Sequence, residues 1–406
     1  MRTRIGAAAL AALCICSPAA FAQDVELRSL DGSVELEGNL ISYDGAYYRL
    51  DTVYGPLTVS AEGVSCAGPG CPDLATFVAE ARIAGAATIA EGLLPALLGA
   101  FAESRDMVLR VEGSDYLLDR ADGVLAARFS VVAGTTDDGL LALLNGEADI
   151  ALALREPSVA EIRAAEAEAP DDPPLDDRVR VLALDALVPV VSPDIPISAL
   201  SLPHIAALYS GEIVNWQDLG GPDAPVALHL LNPRLGLSQA FASRVLLPAE
   251  AGLADGITRH MTAEALAHAV DRDAYAIGIT TRSGAEGLQA LPLAGACGFA
   301  QSATDGAVKA EDYPLTAPVY LYLAPRRLPL LVRQFMPFTE TDAAEREVRD
   351  AGFDDQTLTL SALALQGERL VNAILAGGED VDLDDLQALV ARLATAERLS
   401  TTFRFN

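Results

Sequence analysis

Apolar and polar positions alternate along residues 24–63, with turn signals at Asp31-Gly32 and Asp44-Gly45. That period of two predicts a small β-rich N-terminal module over 23–72, closing at the loop bracketed by Cys66 and Cys71. From Asp73 onward the pattern changes to strand-like runs alternating with helical ones. Helical periodicity runs through 89–103, 137–147 and 238–247. Apolar strand-like runs occupy 107–111, 128–132, 179–184, 187–192, 226–231 and 275–280. Such alternation predicts an α/β fold, with parallel or mixed sheets carrying helices on both faces. The acidic, proline-rich stretch 163–178 reads as a solvated helix end and loop. Residues 380–399 read as an amphipathic helix, and Ser400 to Asn406 as the possible start of a strand.

Composition adds compartment and charge. Arg2 and Arg4 precede an apolar run from Ile5 to Cys16 that is too short to span a bilayer, and Ala20-Phe21-Ala22 has the A-x-A form of a cleavage site. These features predict a signal peptide over 1–22, a mature chain starting at Gln23 and a periplasmic location. Removing both arginines leaves 26 basic against 57 acidic residues, a net charge of −31. That balance disfavours nucleic acid and anionic membrane surfaces as partners. It does not weigh against a small anion held by local dipoles. Cys66 and Cys71 flank Ala-Gly-Pro-Gly, and an oxidising compartment favours a disulfide between them. Cys297 is then expected to be free. His204, His229, His260 and His268 show no metal-ligand spacing, and no nucleotide-binding fingerprint is present, so no metal or cofactor is expected.

Several segments, in order, resemble the substrate-binding proteins of phosphate ABC transporters. They are Gly85 to Pro95, Leu140 to Arg155, Asp185 to Val191, Tyr209 to Gly221, Ala276 to Ile279 and Gly352-Phe353. The longest is Tyr209-Ser-Gly-Glu-Ile-Val-Asn-Trp-Gln-Asp-Leu-Gly-Gly221. The resemblance implies a type 2 periplasmic binding protein fold, two lobes joined by a hinge. One lobe would combine 73–184 with 281–355, and the other would hold 185–280. A C-terminal extension, 356–406, would follow. The ligand would be phosphate or another small oxyanion held in the cleft, and an ABC transporter permease would be the partner. Leu399 to Phe405 resembles the first strand of an outer-membrane-protein-A-like domain, which implies peptidoglycan as a further partner.

The resemblance places the anion where Ala87 and Thr88, Thr135 and Thr136, and Arg155 meet a loop carrying Arg234, Gly236 and Ser238. This sequence departs from the family there. Ala87 replaces a hydroxyl residue, Ala153 and Leu154 replace two more, and Leu235 and Leu237 flank Gly236 where hydroxyls are usual. A hydrogen bond to a charged group contributes roughly 1.5–3 kcal/mol. Losing three or four removes about 5–10 kcal/mol, against about 8 kcal/mol for micromolar binding. Two alternatives follow: a binding or envelope scaffold protein with a degenerate site, and a serine hydrolase. The second rests on Gly236-Leu237-Ser238-Gln239-Ala240, with Asp255 and His260 or His268 downstream. Ala240 stands where that nucleophile motif needs glycine.

Overall fold

A computed structural model describes residues 24–170, 172–233, 235–295, 300–362 and 382–400. The expected signal segment, Arg234, Cys297 and residues 401–406 lie outside the described residues. The chain divides into an N-terminal unit ending at Ala75 and a second unit from Thr76.

The N-terminal unit is the expected β-rich module. Its strands are β1 (Val25–Ser29), β2 (Glu35–Tyr43), β3 (Tyr47–Thr52), β4 (Gly55–Ser60) and β5 (Val64–Ala67). They form one antiparallel sheet in the order β4-β3-β2-β1-β5. The first half of β2 pairs with β1 and the second half with β3. Alternate positions supply a small core of Val25, Leu27, Tyr48 and Leu50. A Cys66–Cys71 disulfide closes the loop after β5, as the sequence suggested.

The second unit is built on one mixed sheet. Its strands are β6 (Ala79–Ala86), β7 (Met107–Glu112), β8 (Asp115–Arg120), β9 (Leu125–Gly134), β10 (Ile150–Ala153) and β11 (Val179–Val191), then β12 (Leu200–Ser201), β13 (Ala227–Leu231), β14 (Thr258–His260) and β15 (Ala276–Thr281), and further β16 (Gln289–Ala290), β17 (Leu293–Ala294), β18 (Ala300–Gln301) and β19 (Thr316–Leu323). The sheet order is β14-β13-β15-β11-β19-β10-β6-β9-β8-β7, with β16 also on β11, while β12, β17 and β18 form a separate small sheet in the order β12-β17-β18. β6 runs parallel to β9 and β10, and β13 parallel to β14 and β15. The two runs expected at 179–184 and 187–192 are one thirteen-residue strand, β11. Its first part pairs with β19 and its last five residues with β15, so the sheet passes continuously from one end of the unit to the other. From Leu182 every residue of β11 is buried, as expected where both faces are covered.

Two apolar clusters flank this passage. One draws on β6, β9, β10, β19 and the helices Leu94–Glu103 and Leu330–Phe338, around Phe101, Phe129 and Phe335. The other surrounds Tyr209, Trp216 and Phe241 and extends to Val308, Tyr313 and Leu315. Ala285, Leu291, Leu293, Val308, Tyr313 and Leu315 pack with the second cluster, and the chain returns to the first with Val319 and Leu321 of β19. Tyr313 fixes this return by donating its hydroxyl to the Leu187 carbonyl at 3.1 Å. Near the C-terminus the helix covers Leu383–Leu393, and a strand at Glu397–Leu399, three residues before the expected start, pairs with Leu360–Ala362.

Candidate functional site

The loops that follow β6, β9 and β10 lie at the carboxyl ends of neighbouring parallel strands, where α/β sheets usually place ligands. Gly85 makes their close approach possible. It has φ +135°, and a Cβ there would stand 2.2 Å from the Leu152 carbonyl oxygen of β10. Ala87 then leads into a π-helical segment, Thr88–Leu93, ahead of the Leu94–Glu103 helix. Segments of this kind are rare and frequent at functional sites. The Thr88 hydroxyl oxygen is buried and has no hydrogen-bond partner among the described residues.

The other expected positions that are described, Thr135, Thr136, Arg155, Gly236 and Ser238, are brought near, but the polar side chains among them are already used. Thr135 is the N-cap of the Thr136–Leu144 helix, in a capping box with Asp138. Fully buried Thr136 accepts the Leu154 N–H on its hydroxyl at 3.1 Å, and donates its own N–H to Gln239 Oε1 at 3.0 Å. Gln239 belongs to the Gly236–Phe241 helix, so a side-chain carbonyl from the other cluster sits on the helix N-terminus that would face an anion. Arg155 grips Glu161 through two 2.9 Å bonds and also pairs with Asp137. These carboxylates raise the arginine pKa further, and burial is outweighed at Glu161, whose pKa falls to about 2. Arg155 is therefore a neutralised cation rather than a free one.

Gly236 closes the site from the opposite side. A Cβ at this position would lie 2.3 Å from Leu154 Cδ1, so apolar contact replaces the hydroxyls usual in this loop. Ser238 donates its hydroxyl to the Leu231 carbonyl at 2.6 Å. His260, a candidate partner in the hydrolase reading, instead has Nε2 2.9 Å from His229 Nδ1. Neither contact assembles a Ser–His pair. Among the described residues, no group of three or more His, Cys, Asp or Glu side chains is placed to hold a metal ion.

A cavity of about 410 Å³ remains between the clusters, lined by Thr88, Leu154, Asp185, Leu237, Thr281 and Phe353 among others. Asp185 was not foreseen as a site residue, although it is the one acid in the apolar run of β11. The residue is 7% exposed, and its carboxyl accepts the Ala186 N–H at 2.7 Å. Burial pushes its pKa up to about 7. Gln239 was also missed, since no local pattern marks it.

A family model described as PBP superfamily domain matches residues 74–342. The phosphate-binding protein PstS of Borreliella burgdorferi is 44% identical over 46 residues, 11% of this chain and 16% of that relative's length. The crystal structure of an ABC-type phosphate transport receptor from Vibrio cholerae superposes with a TM-score of 0.53 at 18% identity, covering 67% of this chain and 98% of that one. A possible phosphate binding protein from Planctomyces limnophilus superposes with a TM-score of 0.51 at 16% identity, covering 78% and 99%. At these identities the two structures are evidence of shared fold.

Proposed function

The chain belongs to the PBP superfamily, and on that premise we propose that it is a periplasmic solute-binding protein whose ligand is phosphate or another small oxyanion, serving an ABC transporter permease. The two apolar clusters are its lobes, and the passage through β11 and β19 is its hinge. The observation that carries this reading is the Thr136 N–H at a helix N-terminus, accepted by the Gln239 carbonyl oxygen from the opposite lobe. An oxyanion offers the same kind of acceptor with a full charge, and the buried Thr88 hydroxyl, unpartnered among the described residues, is a second donor. Displacing Gln239 makes binding weaker than in a site with free donors.

The same contacts favour a second reading, a binding or envelope scaffold protein whose anion site is filled by its own side chains. Isothermal titration of the chain from Gln23 with phosphate, arsenate and sulfate separates the two. Saturable heat with at least one oxyanion supports solute binding. No heat at millimolar concentrations, in native protein and in Gln239→Ala alike, supports the scaffold.

A further inference from the structure

The cavity between the lobes has a chemistry that a bare oxyanion does not use. Its volume of about 410 Å³ lies within the range of sites for small organic molecules, roughly 300–1,000 Å³. Two carboxyl groups, Glu91 and Asp185, line it, and among the described residues no lysine or arginine does. Leu154, Leu235, Leu237 and Phe353 supply apolar wall. Thr88 lines the same cavity with a buried hydroxyl oxygen that has no hydrogen-bond partner among the described residues, which costs roughly 1–3 kcal/mol until something engages it. The nearby Arg282 does not neutralise Asp185. Its side chain is committed to Asp354, with Nε 2.8 Å from Oδ2.

We infer that the ligand is an oxyanion joined by a short carbon chain to a primary ammonium, with the ammonium end held by Asp185 and Glu91. This rests on the oxyanion reading above for the other end, which faces the Thr88 hydroxyl in the cavity wall. The carbon chain lies against the leucines and Phe353. Binding the ammonium favours ionised Asp185, so the Asp185 carboxyl gives up a proton to solvent when the ligand binds near neutral pH. Among the described residues, the charged groups around Asp185 are Arg282, Asp354 and, in the same cavity lining, Glu91.

The test is calorimetry of native protein with 2-aminoethylphosphonate, its near-isostere propylphosphonate, ethanolamine and inorganic phosphate. The aminophosphonate is expected to bind at least tenfold more tightly than propylphosphonate. That ratio should grow from pH 6 to pH 8 and fall toward one in Asp185→Asn. Glu91→Gln, on the exposed rim, should lower the ratio too, and serves if Asp185→Asn does not fold. Equal binding of the two phosphonates, or a ratio that both variants leave intact, overturns the inference and leaves the oxyanion reading standing if phosphate binds. Ethanolamine binding while phosphate and propylphosphonate stay silent keeps the cationic end and overturns the oxyanion reading.

Discussion

Replacing Gln239 with alanine removes the carbonyl oxygen that accepts the Thr136 N–H at 3.0 Å. Thr136 is fully buried, so its N–H loses its partner in the free protein, at a cost of about 1–3 kcal/mol in unfolding free energy. The same change frees the donor for a ligand. A charge-assisted bond from that N–H contributes about 1.5–3 kcal/mol, so phosphate should bind roughly 10- to 150-fold more tightly than to the native protein. Gln239→Glu is the opposing control. A carboxylate at this helix N-terminus satisfies the N–H, adds a favourable dipole interaction of about 0.3–1 kcal/mol, and repels an anion. Urea unfolding and calorimetry on the three proteins at one pH and ionic strength give both quantities. The expected pattern is a less stable, tighter-binding alanine variant and a stable, non-binding glutamate variant. An alanine variant with unchanged or weaker phosphate affinity would refute the idea that Gln239 competes with the ligand.

Gly85→Ala should destabilise the second unit by at least about 3 kcal/mol in urea unfolding, because φ +135° and a 2.2 Å approach to a backbone oxygen leave no room for a methyl group; a loss under 1 kcal/mol contradicts this. Asp185 has a folded pKa of about 7 against 3.8 in the unfolded chain, so the folded state holds the extra proton. Its stabilisation is complete below about pH 4 and is lost as pH rises through 7, on the order of 4 kcal/mol in all. Asp185→Asn should remove that component of the decline, and parallel stability–pH curves for the two proteins would count against it. Asp355→Asn should cost about 3–5 kcal/mol, since Asp355 pairs with buried Lys309 at 2.6 Å and with Arg349; thermal unfolding within 2 °C of native contradicts this assignment.

The α/β class and the N-terminal module were legible because local pattern decides them. Strands β13 and β15 are short apolar runs buried in place, and β2 to β4 alternate around visible turns. β19 was not read as a strand, because Pro318 interrupts the ladder pattern expected of a central strand. β11 was read as two runs because Asp185 looks like a break. Burial with an N–H partner lets it sit inside the strand instead. The block from Tyr209 to Gly221, which carries most of the resemblance, works as scaffolding. Tyr209 donates to the His229 carbonyl at 3.0 Å, Trp216 to the Tyr275 carbonyl at 2.9 Å, and Gly211 and Gly220 cap turns at positive φ. It therefore announces the fold and is silent about the ligand. The site's positions could be aligned, but what occupies them is tertiary. Gln239 meets Thr136 across 103 residues, and no local pattern encodes that meeting.

The central claim is that ligand binds between the lobes, at the carboxyl ends of β6, β9 and β10. Hydrogen–deuterium exchange of the mature protein, with and without saturating 2-aminoethylphosphonate or phosphate, tests it most directly. Protection should concentrate in peptides covering 86–93, 134–139, 153–156 and 235–239. Protection centred instead on the larger cavity lined by Arg82, Arg178 and Arg326, with those four peptides unchanged, would contradict the account.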